Sequence, residues 1–380
     1  MMKQRGVIMK IVIAMDSFKE SMSAIEAVQS VERGIHGYCR DIETILCPVA
    51  DGGEGTLETI IEACHGSIEY YEVTGPLFQK IKAPIGYIED SAIIECAKVC
   101  GLELLDEMQK NPHYTTTQGL GELILIAVKH GAKKIKICLG GSATNDGGIG
   151  MLMALGICFL DKNHQCVIGT MKGLKDIETM DISSFTCLLR DIEITAICDV
   201  DNPLCGEKGA TYVYGPQKGV HNVKEVDEHM KHYGEIVDSY FQKDVMHQAG
   251  AGAAGGLGFA LMSFLGAKFQ SGFIEVAKMI SLKEKIETCD LVIVGEGKID
   301  KQTQYGKTPY GVLQIAKTYD KKVVAFAGKV EDLEILKFLG FNLIYQISPD
   351  DLPLDKALKQ GKTNLQQSVY THMEDIIYGL

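Results

Sequence analysis

Five short apolar runs, each stopping abruptly at polar or glycine residues, constrain this chain more than any other feature. They are KIVIAMDSFK (10–19), KIKICLGGSATND (134–146), IEITAICDVDNP (192–203), CDLVIVGEGKID (289–300) and KKVVAFAGKV (321–330). Continuous β-branched runs of this kind suit strands buried on both faces, as in parallel sheets. Helical patterns lie between them. SAIEAVQSVERGI (23–35) opens with Ser23 and has Glu26 three residues on, the spacing of a capping box. GLGELILIAVKHGAKK (119–134) and PYGVLQIAKTYDKK (309–322) are similarly periodic. Strands alternating with helices predict an α/β protein.

One segment breaks the alternation. SIEYYEVTGPLFQKIKAPIGYIEDSAIIEC (67–96) reads as short strands separated by Gly-Pro and Asp-Ser signals, an antiparallel meander. Alternation resumes near Cys289. The pattern therefore predicts two α/β domains, a number that suits 380 residues. Residues 1–66 and 286–380 together form a discontinuous flavodoxin-like (Rossmann-like) domain with a parallel sheet of about five strands. Residues 67–285 form a second, mixed-sheet α/β domain inserted into the first.

Composition removes several function classes. The net charge is −12 and no basic run occurs, which argues against a nucleic-acid partner. Arginine occurs only at positions 5, 33, 40 and 190, so anions must be met by lysines, backbone N–H groups or metal ions. The 12 cysteines include no C-x-x-C pair; the nearest two, Cys96 and Cys100, are at helical spacing without a neighbouring histidine. They are expected to be reduced, buried thiols rather than metal ligands. The leading MMKQRGVIMK is too short and polar for a signal peptide, and Met9 is an alternative start to Met1. No run approaches the ~20 apolar residues of a membrane span. The expectation is a cytoplasmic protein with no membrane partner; a homo-oligomer is left open.

In open parallel sheets, ligands bind beyond the carboxyl ends of the strands. The unusual residues fall at those positions. Asp16, Ser17 and Lys19 follow the first run, and Asp51, Gly52, Gly53 and Glu54 follow the run ending at Val49. Gly140, Gly141, Ser142, Thr144, Asn145, Asp146, Gly147 and Gly148 follow Leu139. Asp199, Asp201 and Asn202 follow Cys198, and Glu296 and Asp300 follow Val294. Glycines let backbone N–H groups face an anion. GGSATNDGG precedes IGMLMALGICF, a helix-like stretch whose N-terminus would add unpaired N–H groups; alternatively Asn145 and Asp146 merely cap that helix.

Two familiar phosphate motifs fail on context. GAGAAGG (250–256) matches G-x-G-x-x-G, yet SYFQKDVMHQA before it is no buried strand. It suits a glycine-rich helix start instead. YGKTP (305–309) resembles the end of a Walker A loop, but Lys301 stands where the earlier glycine belongs.

Clustered carboxylates beside an anion cradle repel one another unless a cation intervenes. Mg²⁺ supplies that charge by bridging carboxylates to phosphates, and Lys19, Lys218 and Lys307 are further point charges. The combination fits phosphoryl transfer. His113 and His221 read as ordinary surface residues, and neither G-x-S-x-G nor H-E-x-x-H occurs. A general base would be a carboxylate.

The motifs DSFK, PVADGGEGT, LGGSATNDGG, CDVDNPLCGEKGA, GPQKGV, GAGAAGGLG and DLVIVGEGKIDKQTQYGK together resemble the bacterial type 1 glycerate kinase family, in its order and over nearly the whole chain. Met15 stands where that family usually has Pro, and Glu20 where it often has Gly. The resemblance implies transfer of the ATP γ-phosphate to D-glycerate with Mg²⁺, on the 2-hydroxyl, by a protein with one α/β domain inserted in another. The site is then expected in the cleft between them, closing to exclude water.

On that resemblance, Gly140–Gly148 and Gly252, Gly255 and Gly256 are expected to bind phosphate. Asp199 or Asp146 would accept the hydroxyl proton, Glu296 and Asp300 would hold Mg²⁺, and Lys19 would meet the glycerate carboxylate or the moving phosphoryl group. Asp16, Ser17, the Asp51–Glu54 loop, Lys218 and Lys307 are expected around the substrate. Three other readings stay open: phosphorylation of the 3-hydroxyl, a NAD-dependent hydroxy-acid dehydrogenase using GAGAAGG, and a non-enzymatic metabolite-binding regulator.

Overall fold

The computed structural model describes residues 9–185, 187–304 and 306–380. The leader MMKQRGVI, with the start at Met1, and Tyr305 of YGKTP lie outside the described residues. The described strands in chain order are β1 (Lys10–Met15), β2 (Glu43–Leu46), β3 (Ser67–Thr74), β4 (Lys80–Ile88), β5 (Ser91–Glu95), β6 (Lys134–Cys138) and β7 (Cys158–Leu160). They continue with β8 (Thr179–Asp181), β9 (Glu193–Ile197), β10 (Lys268–Gln270), β11 (Leu291–Ile299), β12 (Lys322–Val330) and β13 (Leu343–Gln346). The chain forms two compact units, one of residues 1–51, 58–64 and 273–380, the other of residues 52–57 and 65–272.

The first unit carries a five-stranded sheet in the order β13-β12-β11-β1-β2, parallel throughout. Counting only this unit's strands, the order is 2-1-3-4-5, the flavodoxin arrangement expected from sequence. The expected buried runs are its centre: Ile11 through Met15 and Leu291 through Val294 are all buried. The helix Ala24–Tyr38 begins with the capping box read from sequence: Glu26 N donates to Ser23 Oγ at 3.2 Å, and Ser23 N to Glu26 Oε2 at 3.1 Å. Its Ile35 joins Val369 and Met373 of the helix Leu354–Tyr378 in one apolar core.

The second unit carries a six-stranded mixed sheet, β10-β9-β6-β5-β4-β3. β3, β4 and β5 form the expected antiparallel meander, and β5, β6, β9 and β10 run parallel. Its core includes a relay of edge-on aromatic rings, Phe159 to Tyr233 at 5.7 Å and Tyr233 to Phe259 at 5.5 Å.

Two expectations need correction. The stretch after GGSATNDGG is helical only over Ile149–Ala154. Gly156, at φ +98°, breaks the helix, and Cys158 already belongs to β7. The cysteines are not all free either. A reversal at 161–165 brings Cys166 opposite Leu160, and Cys158 and Cys166 form a disulfide with Cα atoms 5.7 Å apart, within the usual span. Among the described residues nine other cysteines form no disulfide, and of these Cys47, Cys96, Cys100, Cys138 and Cys289 are buried as expected.

Candidate active site

In the first unit, chemistry gathers at the carboxyl ends of β1 and β11. Asp16 follows β1, and its backbone N–H binds Gly295 O of β11 at 2.9 Å. Its carboxylate accepts from Ser17 N at 2.6 Å and from the Thr308 hydroxyl at 2.5 Å. Burial, then the charge of Asp51, pushes Asp16 up to about 7, against the bonds from Thr308 and Ser17. Glu296, within β11, is likewise pushed up to about 7. Burial is again the main cause; Lys307 opposes it, and Asp16 and Asp51 add to it. Two neighbouring acids pushed up to about 7 at the carboxyl ends of adjacent strands make this a candidate site.

Gly306-Lys307-Thr308 occupies the start of the helix Thr308–Thr318. Lys307 Nζ binds Glu296 Oε1 at 3.2 Å and Lys298 O at 3.1 Å. Asp300 pairs with Lys298 at 3.5 Å and accepts Gln302 N at 2.8 Å. Lys19 is exposed, three residues beyond Asp16. Glu20, where the resembled family often has Gly, adopts φ +62°, a conformation costly for a residue with a Cβ.

In the second unit the expected glycine loops meet at the carboxyl end of its sheet. A Cβ on Gly140 would lie 2.8 Å from Gly53 Cα, so the loop 52–57 and the loop after β6 touch backbone to backbone. Gly255 has φ +71°, and a Cβ there would strike Thr144 O at 2.1 Å. Gly147 N donates to Gly255 O at 3.0 Å. GAGAAGG therefore packs on GGSATNDGG, and it follows the helix Val223–Phe241 rather than a strand. Asp199, exposed after β9, accepts Gly272 N at 2.9 Å. Burial and a hydrogen bond with Glu54 raise the Glu103 carboxyl above its ordinary range.

Asp146 is fully buried and heavily engaged. Its Oδ2 accepts Thr117 N at 3.0 Å, Thr117 Oγ1 at 2.8 Å and Gly150 N at 3.4 Å; its Oδ1 accepts Gly148 N at 3.1 Å. Of the roles left open for it, helix cap is the one this geometry performs. Of the amides expected to greet an anion at the start of Ile149–Ala154, those of Gly148, Ile149 and Gly150 are bound to Asp146 and that of Met151 to Thr117 Oγ1. Lys218 is buried too, with Nζ at 2.7 Å from both Ser142 Oγ and Thr144 O. Burial pulls its ammonium down to about 8, against the upward pull of Cys96, Cys100 and Asp146. Thr144 Oγ1 and Asn145 Oδ1 are buried without a hydrogen-bond partner, while Asn145 Nδ2 donates to Thr211 Oγ1 at 3.1 Å.

Three residues at these sites escaped the sequence reading. Thr308 lies in YGKTP, which fails as a Walker A loop, yet its hydroxyl binds Asp16. Thr117, the anchor of Asp146, carries no motif. Glu95 ends the apolar run of β5 with an acid, the same signal that singled out the other strand ends.

A family model described as Glycerate kinase family matches residues 11–376. The chain belongs to the glycerate kinase family. It is 43% identical over 362 residues to a "Glycerate 2-kinase" of Escherichia coli (strain K12), covering 94% of this chain and 95% of that protein. It is 41% identical over 366 residues to a "Glycerate kinase" of Bacillus subtilis (strain 168), covering 95% and 96%. A crystal structure from Salmonella typhimurium LT2, named there as a candidate glycerate kinase 2, aligns with a TM-score of 0.88 at 39% identity, over 98% of this chain and 99% of that one. Membership of this family makes the chain a kinase, and the α/β architecture with one parallel and one mixed sheet is the family's own. Among the described residues no helix is long and apolar enough to cross a membrane.

Proposed function

We propose that this enzyme transfers the γ-phosphoryl group of Mg·ATP to the 2-hydroxyl of D-glycerate, giving 2-phosphoglycerate. The observation that carries the reading is the full-length match to a protein named for that regiochemistry. The site chemistry supports it: acids raised toward neutrality at the carboxyl ends of strands, lysines beside them, and glycine loops at the carboxyl end of the second unit's sheet. Phosphoryl transfer asks for positioning and charge neutralisation more than for covalent chemistry.

Asp16 is assigned the hydroxyl proton. Its carboxylate is oriented by Thr308 and Ser17, and a base titrating near 7 is matched to work at neutral pH. Asp199 is the second candidate, because Gly272 N fixes its carboxylate while leaving the residue exposed. Asp146 is assigned to hold the loop rather than to move a proton. Lys307, and Lys19 three residues beyond Asp16, are the charges assigned to meet the transferred group or the glycerate carboxylate.

Thr144 Oγ1 and Asn145 Oδ1, buried without partners, are what a loop that completes its hydrogen bonds on a phosphorylated ligand would show. Glu296 and Asp300 suit a resident metal less well. Each faces a lysine, and no group of three His, Cys, Asp or Glu gathers to hold an ion among the described residues. Magnesium therefore enters this proposal as part of the Mg·ATP substrate.

The test is a coupled kinase assay on D-glycerate, with the product read by phosphorus NMR. A 3-phosphoglycerate signal removes the regiochemistry; no turnover with Mg·ATP removes the reading. Asp16→Asn and Asp199→Asn separate the two bases, since loss of a general base costs about 10²–10⁴ in kcat.

A further inference from the structure

We infer that Glu95 is a positioning residue that clamps the Gly52–Leu57 segment. Glu95 is the last residue of β5, paired in register with Cys138 of β6, so it stands at the carboxyl edge of the second unit's sheet. It is a carboxylate only 1% exposed. Its two oxygens are divided between two backbone amides of one loop: Gly55 N donates to Oε1 at 2.9 Å, and Leu57 N to Oε2 at 3.1 Å.

Those amides belong to the entry of the helix Thr56–Cys64, where N–H groups lack partners within the helix. A capping carboxylate usually comes from the residue just before the helix. Here it comes from 40 positions away for Gly55 and 38 for Leu57, so it fixes the loop to the sheet rather than merely closing a turn. Thr56 adds a local bond, its hydroxyl donating to Gly53 O at 2.7 Å. Gly53 in turn lies against Gly140, at the mouth of the loop that follows β6. The clamp thus sets where the loop carrying Gly52, Gly53 and Glu54 sits.

A carboxylate is needed for this. It offers acceptors on both oxygens, whereas a glutamine would aim its amide hydrogens at one of the two N–H groups. Glu95 is proposed to act through the loop. The link from that loop to glycerate rests on the proposed function, and the link from Glu95 to the loop does not.

The experiment uses the full chain. Glu95→Gln is compared with wild type by hydrogen–deuterium exchange and by steady-state kinetics. The expected result is exchange at least about tenfold faster in peptides covering residues 52–60, with other peptides unchanged. The KM for D-glycerate is expected to rise about tenfold, with the KM for ATP within about twofold. Unchanged exchange at 52–60 overturns the clamp. Equal rises in both KM values, or a fall in kcat alone, overturn its role in placing the substrate loop. Should Glu95→Gln fail to fold, Glu95→Asp carries the same arms, because it keeps the charge but is too short to reach both amides. If wild type does not phosphorylate D-glycerate, the functional reading fails, and the exchange arm still decides the clamp.

Discussion

The Thr308 hydroxyl donates to Asp16 Oδ2 at 2.5 Å, joining residues 292 positions apart at the edge of the first unit's sheet. The bond favours the ionised carboxylate, in a setting where burial and Asp51 favour the protonated one. Thr308→Val keeps the shape and removes the donor. Activity that needs ionised Asp16 rises with pH through about 7 in wild type. In the variant that acid limb moves to higher pH, and kcat/KM at pH 7 falls by about tenfold, the scale of a hydrogen bond to a charged group. A pH–rate profile checks it; an unmoved limb means that Asp16 is not the group being titrated.

Glu296 makes a stability prediction of unusual sign. Its pKa is raised in the folded protein from 4.5 to about 7. Between those values the native state binds the proton more than the unfolded chain does, so this group's contribution is full below 4.5 and is lost as pH rises through about 7. Glu296→Gln removes the cost of burying the charge. The variant is expected to melt like wild type near pH 5 and above it at pH 8, while losing activity. Thermal melts across that range decide it: a variant less stable than wild type at pH 8 shows that the ion pair with Lys307 outweighs the burial.

Asp146 shows where an acid in a glycine loop serves structure. Its oxygens face only donors, from Thr117, Gly148 and Gly150. Asp146→Asn turns an NH₂ toward one of those donors, which leaves buried groups unpaired and costs about 2–4 kcal/mol. Urea denaturation is expected to show that loss. If the variant keeps wild-type stability but loses turnover, the residue belongs to the chemistry after all.

Much of this was legible in the sequence, and the reasons are physical. Runs such as Ile11–Met15 and Leu291–Val294 have no polar face, so they read as buried strands of a flavodoxin-like sheet, while the strand order itself comes from the structure. Acids and glycines at strand ends located both clusters. What stayed hidden were partners set by three-dimensional packing. Nothing local ties Glu95 to Gly55, Thr308 to Asp16, or Asp146 to Thr117. Two local patterns also misled. Apolar IGMLMALGICF read as one helix because a single glycine, Gly156, decides where it stops. Cys158 and Cys166 carried no spacing signal for a disulfide, since only the reversal between them brings them together.

Lys218 supplies the last prediction. Its Nζ fastens Ser142 Oγ and Thr144 O, two points of the GGSATNDGG loop, from inside the protein. Both bonds hold the loop, so an effect of Lys218 on catalysis is expected to pass through it. Lys218→Met keeps the length and removes both bonds. The expected outcome is a folded enzyme with kcat/KM lowered about 10–100-fold and the KM for ATP raised more than that for D-glycerate. The lysine also leaves a signature of its own. Its pKa is lowered from 10.5 to about 8 on folding, so between those values the unfolded chain binds more protons than the native state. Wild type therefore gains stability relative to Lys218→Met as pH rises from 8 towards 10. Denaturant unfolding of the two proteins at matched pH measures that difference, and a gap independent of pH would mean that Lys218 stays fully charged in its buried position.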